Sequence, residues 1–299
     1  MRKFLIVLCC VVLLTVAIGG LLLLPQATNI LIMLTEAGKV HSVCERYDNG
    51  RIHKKGLLKN GGWHGELRTF YENGKLKSIE RFLDGELHGR TIEFHPKGNT
   101  KREAEYQWGR LHGTVVEYRE YGKILKELSF QHGLLSGPAK TYDAWGNIES
   151  QQIYKGNILD GLVQEYHPNG NLKFEQMYVN GKAQGKYREY YESGTLSREM
   201  DVFDDKQNGT IRTYYPNGKL KREWYATNLK SNGPSRKFDE NGRLVEKGQY
   251  WDEIPDGEFE IYERGVLSQK YFYDHGKKVK MQVFADGELE YEEDLSENN

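Results

Sequence analysis

The sequence predicts an all-β chain, an elongated single-layer antiparallel sheet of about ten 24-residue β-hairpin repeats, with a transmembrane helix at its N-terminus. Three observations lead there. Glycines recur at a fixed period: Gly74, Gly98, Gly122, Gly146, Gly170, Gly194, Gly218 and Gly242 form one series, and Gly65, Gly89, Gly113, Gly137, Gly161, Gly185, Gly209, Gly233 and Gly257 a second, each step being 24 residues. The composition is that of strands and turns, with 20 Tyr, 11 Phe and 33 Gly in 299 residues. Finally, Phe4 to Leu24 carries no charge over 21 residues.

Residues 1–26 are expected to be a membrane anchor or an uncleaved signal. The run from Phe4 to Leu24 is long enough to span a bilayer as a helix, and Pro25 closes it. Arg2 and Lys3 place the N-terminus in the cytoplasm and the body outside it. The competing reading is a cleaved signal peptide that leaves the body periplasmic or secreted, but such signals carry an apolar core of about 7–15 residues and a small-x-small site. Pro25-Gln26-Ala27 is a poor site. Cys9 and Cys10 read as apolar residues of the membrane helix, since neither Leu8 nor Cys9 is the small residue that lipoprotein processing requires. Residues 27–40 read as a juxtamembrane linker or a short helix, capped by Asn29 and stopped at Gly38. Outside the membrane segment only Cys44 remains, so no intramolecular disulfide staples the body.

The repeats run from 41 to 290. Asn-Gly at 73–74, 169–170, 217–218 and 241–242, and proline two residues before the glycine at Pro96, Pro168 and Pro216, predict three-residue hairpin loops. These combine a type I turn with a left-handed bulge glycine. The loop places Phe70 across from Leu76, Tyr118 from Ile124, Tyr166 from Leu172 and Tyr214 from Leu220. Strict alternation along the return strand then puts Phe82, Tyr106, Phe130, Tyr154, Tyr178 and Tyr250 on that same face. In steps of 12 from Phe70 to Tyr262, 15 of 17 positions are aromatic, which predicts a one-face ladder broken only at Val202 and Ala226. Glu93 opposite Lys101 and Glu165 opposite Lys173 mark the other face as solvated, with Leu67, Val115, Val163 and Ile211 interrupting it. Tyr47-Asp-Asn-Gly50 reads as a first hairpin one residue short between aromatic and glycine, and 291–299 as an acidic disordered tail beyond the array.

Lys plus Arg (42) nearly cancels Asp plus Glu (43), which argues against a nucleic-acid surface. His64, His88 and His112 precede glycines at a spacing of 24, so successive ones stand two strands, roughly 10 Å, apart and cannot share an ion. Ser136, Asp160, Gln184, Asn208, Asn232 and Asp256 follow at the same place, a polar turn position. Glutamates recur as Glu103, Glu127, Glu175, Glu199 and Glu223, a periodic stripe without a unique acid–base pair. No catalytic residue, metal ligand or cofactor site is expected. An aromatic ladder both stacks and offers a binding surface, and its middle rungs Tyr118, Tyr142, Tyr166, Tyr190 and Tyr214 are the candidate partner-binding residues.

The unit G-x-x-x-x-[FY]-[YH]-x-x-G-x-[LI], followed by a hydrophobic strand and then D-G-E-L-H-G (84–89) or N-G-K-A-Q-G (180–185), resembles the MORN-variant repeat of bacterial proteins named YwqK-family antitoxins. The resemblance covers roughly five sixths of the chain and implies a hairpin sheet used for protein binding rather than catalysis. The membrane anchor departs from a simple cytosolic partner of a toxin. The expectation is a membrane-anchored, extracytoplasmic platform whose partner is a toxin or an envelope protein. The alternative is a structural envelope scaffold that self-associates through its end strands.

Overall fold

The computed structural model describes residues 38–228 and 230–296. All the regular structure among them is β, in 25 strands. The expected helix from Phe4 to Leu24, and the short one before Gly38, lie outside the described residues. Among the described residues no helix is long and apolar enough to cross a membrane.

The chain divides into two compact units, Met1–Gly89 and Arg90–Asn299. The first holds β1 (Val40–Arg46), β2 (Ile52–Lys59), β3 (Gly62–Phe70), β4 (Leu76–Leu83) and β5 (Glu86–Leu87), each antiparallel to the one before. The second carries the later strands to β24 (Lys277–Ala285) and β25 (Glu288–Asp294), again paired antiparallel in chain order. Glu288–Asp294 crosses the expected boundary at 290, so part of the segment read as a disordered acidic tail is an ordered edge strand.

Two kinds of turn alternate. At one end of each hairpin, Gly74 accepts the left-handed conformation (φ 86°) and its N–H donates to the Tyr71 carbonyl at 2.8 Å, while Tyr71 N–H donates to Lys75 O at 2.8 Å. This is the expected three-residue loop, and it recurs at Gly122, Gly170, Gly194, Gly218 and Gly242. At the other end, two successive residues with positive φ, such as Asn180 (49°) and Gly181 (81°), make a two-residue type I′ turn. The first hairpin follows the same plan. Arg46 pairs with Ile52, in the place that Phe70 holds opposite Leu76, and Tyr47 donates its N–H to Arg51 O, as Tyr71 does to Lys75 O. Tyr47 is therefore the counterpart of Tyr71, and nothing is missing from the loop.

The cross-loop pairs Phe70–Leu76, Tyr118–Ile124, Tyr166–Leu172 and Tyr214–Leu220 form as expected. One residue further in, the register shifts: Glu165 stands opposite Phe174, and Lys173 is the extra residue of a bulge. The same shift occurs at Thr69/Phe70, Glu117/Tyr118, Glu189/Tyr190 and Thr213/Tyr214. A one-residue offset moves every later side chain to the opposite face. The continuous aromatic ladder is thereby corrected into two rows. Tyr166 and its counterparts stay on one face, and Tyr178 and its counterparts lie on the other, with Val163, opposite Gln176. Lys173 and Lys101 still reach Glu165 (3.4 Å) and Glu93 (3.7 Å), diagonally across the bulge.

The face with Val163 holds the core. Ala104, Val115, Ala139, Val163, Met200, Ile211 and Phe259, all buried, stand at matching places of their strands, so the residues read as interruptions of a solvated face belong to the core row. Where the aromatic rung is missing, at Val202 and Ala226, both residues are buried with Met200 and Ile211, and Tyr187 and Trp224 pack against that cluster.

Candidate functional site

The opposite face of the second unit carries a row of charge. Directly paired positions read Glu175, Arg188, Glu199, Arg212, Glu223, Arg236, Lys247, Glu260 and Lys270, one on each of nine strands joined by eight pairing steps. Arg188 bonds Glu175 at 3.1 Å, Arg212 bonds Glu223 at 2.6 Å and approaches Glu199 at 3.5 Å, and Arg236 bonds Glu223. Lys247 reaches Glu260 at 2.6 Å. Burial pushes the Glu223 carboxyl up, but bonds from Arg236 and Arg212 outweigh it and hold Glu223 below its usual range. Burial likewise opposes ionised Glu260, yet Lys247 and Tyr262 bring it down to about 2. The periodic glutamates are thus the acidic half of an ion-pair row.

The candidate tyrosines Tyr118, Tyr142, Tyr166, Tyr190 and Tyr214 all stand on this face, each half-buried at the loop end of an outgoing strand. Four have their hydroxyls engaged: Tyr142 donates to Glu127 (2.8 Å), Tyr166 to Gln164 (3.2 Å), Tyr190 to Glu175 (3.2 Å) and Tyr214 to Glu199 (3.1 Å). Burial and then Glu127 push Tyr142 up to about 12, and burial followed by nearby glutamates raises Tyr118, Tyr190 and Tyr214. These side chains brace the ion pairs.

The apolar groups this face offers to solvent lie toward its other edge, near the type I′ turns. Met177, Val179, Phe203, Tyr225 and Trp251 are exposed there, Phe203 at 70% and Trp251 at 69%. Their alternation with Glu175, Glu199, Glu223 and Lys247 along the return strands puts them on the ionic face. Between this edge and the charge row lies a cleft of about 500 Å³ bordered by Glu223, Tyr225, Pro234, Arg236, Lys247 and Gln249. A second hollow of about 480 Å³ shares Tyr225 and Gln249 and reaches Trp251. Sequence reasoning missed this edge because these residues stand outside the 12-residue aromatic series.

His64, His88 and His112 occupy the position where Ser136, Asp160, Asn208 and Asn232 accept a backbone N–H 20 residues on, from Gly156, Asn180, Asn228 and Asp252. It is a turn-bracing position. The residue after the ladder aromatic has a parallel role in several repeats: His95 Nε2 and His167 Nε2 bond the carbonyls of Tyr118 and Tyr190 at 3.0 and 2.9 Å. The Tyr191 and Tyr215 hydroxyls donate to the carbonyls of Tyr214 and Phe238 at 2.7 and 2.9 Å. These bonds tie one loop to the next, whereas Asp143 turns its carboxylate to Trp145, Gly146 and Asn147 of its own loop. Asp256, Asp274 and His275 gather three potential metal-ligand atoms near the C-terminal end, mostly exposed.

Hairpins bounded by type I′ turns and tied loop to loop define a hairpin-repeat protein. Residues 63–84, 87–107, 159–180, 183–204, 207–228 and 231–252 match the MORN repeat variant family, each match covering one such hairpin. These six hairpins are MORN-variant repeats. No curated protein matches it. Among solved structures it is similar to the crystal structure of TcdB2-TccC3-TEV, at 12% identity over 81% of this chain and 15% of that one, with a TM-score of 0.20. It is similar also to the Photorhabdus luminescens Tc holotoxin pore with the TccC3-D651A mutation, at 12% identity over 81% and 15%, with a TM-score of 0.19. The chain spans about 15% of the length of those chains.

Proposed function

We propose that this chain is a protein-binding platform, without catalytic activity, that engages a partner through the ionic face of its second unit. The observation that carries this reading is the row of exposed Met177, Val179, Phe203, Tyr225 and Trp251 beside an ordered ion-pair row. Aromatic side chains at the centre of a protein interface carry much of its binding energy, and fixed charges supply specificity. The run from Phe4 to Leu24 motivates membrane anchorage with the body outside the cytoplasm. The resemblance to YwqK-family antitoxins makes a toxin the first partner class to test, and an envelope protein the second.

The test is in-cell cross-linking with the full chain carrying a photoreactive residue at Phe203 or Trp251. Both positions should yield the same adduct, and Tyr225→Ser should deplete it without changing the β-sheet circular dichroism. Adduct yield unchanged in Tyr225→Ser would reject the surface. A phosphatase fused after Asn299 should be active, and activity there of a reporter that works only in the cytosol would reject the topology.

A further inference from the structure

The 24-residue period places an acid at one position of the return strands from residue 103 to 223, Gln151 excepted, and a base at the matching position of the outgoing strands from residue 188 to 236. Glu103, Glu127, Glu175, Glu199 and Glu223 obey the first rule; Arg188, Arg212 and Arg236 obey the second. The next residues in the two series are Lys247 and Glu260, so both signs reverse together. Lys247 and Glu260 still satisfy one another at 2.6 Å. The cost falls on the step before them, where Arg236 stands directly opposite Lys247. Like charges directly opposite across a sheet are unfavourable. Between Glu175 and Lys270 this is the one step at which two cations adjoin.

The cleft of about 500 Å³ opens at that step, with both cations and the carboxylates of Glu223 and Glu258 on its border and Gln249 and Tyr225 beside them. Arg236 holds Glu223 and Lys247 holds Glu260, each on its outer side, and no acid stands between the two cations. Tyr225, 43% exposed, and Trp251 flank the adjoining hollow. We propose that this cleft takes an acidic side chain of the partner protein, a carboxylate set between Arg236 and Lys247, with a neighbouring apolar side chain of the same segment laid on Tyr225 and Trp251. An inserted carboxylate restores the alternation that the row loses there, and two cations can engage its two oxygens. This rests on the platform reading and names the chemistry of its partner.

The test uses the full chain in detergent, panned against a displayed library of short random peptides, followed by affinities for one synthesised winner. Enriched peptides should carry Asp or Glu next to an aromatic or large aliphatic residue. Affinity should fall about tenfold or more in Lys247→Gln and in Arg236→Gln, and equally when the peptide's acid is amidated. Lys247→Arg should retain binding, which separates lost charge from lost fold. Lys55→Gln serves as the control: Lys55 also stands opposite an arginine, Arg68, over a smaller cleft of about 240 Å³, and its loss should leave affinity unchanged. Enriched peptides without acids, no enrichment, or affinity indifferent to Lys247→Gln would each overturn the proposal. Binding that is lost in Tyr225→Ser but kept in Lys247→Gln would overturn it while leaving the platform standing.

Discussion

Gly248→Ala tests the packing of the core face at its tightest point. A Cβ on Gly248 would lie 2.3, 2.4 and 2.5 Å from Cδ1, Cε1 and Cγ of Phe259, so the ring has to move. Phe259 is 6% exposed and packs edge-on between Tyr250 (5.4 Å between centroids) and Tyr273 (5.0 Å), which leaves it no free direction. Forcing a methyl into such a site costs about 1–3 kcal/mol. Gly248 lies outside the positive-φ region, so alanine strains no backbone there and regains about 0.5–1 kcal/mol of chain entropy. The balance is about 1–2 kcal/mol of destabilisation, a factor of about 5–30 in the opening equilibrium. Repeat arrays unfold locally, so the assay is hydrogen exchange on peptides covering Leu244–Trp251 and Val266–Asp274, with circular dichroism for the whole chain. Adding Phe259→Leu should recover part of the loss, since the smaller side chain makes room for the methyl. Protection that is unchanged or higher in Gly248→Ala would refute the packing described.

Tyr142 should titrate near pH 12, and Tyr142→Phe should remove that step from the ultraviolet difference titration. Because its folded pKa is raised from 10.0, its contribution to stability is full below pH 10 and is lost as pH rises toward 12. Glu260 has the opposite sign: depressed from 4.5 to about 2, it stabilises the fold above pH 4.5 and ceases to as pH falls through 2. Glu260→Gln should therefore flatten the acid limb of a denaturation-midpoint profile over that window. Tyr215→Phe removes the 2.9 Å bond to the Phe238 carbonyl of the next repeat and should cost about 0.5–1.5 kcal/mol, read as faster exchange at that loop while the neighbouring strands keep their protection.

The turn chemistry was legible from the sequence because each turn depends on one or two residues. Asn73-Gly74 and Pro216-Asn217-Gly218 name their loop, and the loop names the pair it closes, as Phe70–Leu76 and Tyr214–Leu220 bear out. The bulge at Lys173 was not legible, since any residue can be the extra one and the position is also filled by Lys77, Glu149 and Ser197. With the bulge unseen, alternation carried Tyr178 to the wrong face and took Val163 for an interruption. The burial of Ala104, Val115 and Ile211 corrects both at once. The ion-pair row was half legible, because its glutamates repeat more faithfully than its bases. Tyr225 and Trp251 gave little signal because the residue type at their positions varies, with Asp201 and Gln249 in the place of the first and Lys155 and Thr227 in that of the second.

In a repeat array, what departs from the period says more about local physics than what keeps to it. Tyr178 has aliphatic or small counterparts at Val202 and Ala226, which would leave the core face short of volume. Tyr187 and Trp224 supply bulk on that same face, against Met200 and Ile211, so the departure is compensated within the cluster and needs no partner. Lys247 departs as sharply, but its neighbours restore only part of what is lost: Glu260 answers Lys247 and Glu223 answers Arg236, while no acid stands between the two cations. A departure compensated inside the fold is a packing solution. One that leaves two cations side by side at the rim of a cleft, next to an exposed tyrosine, is the place on this surface where a partner can supply what the repeat withholds.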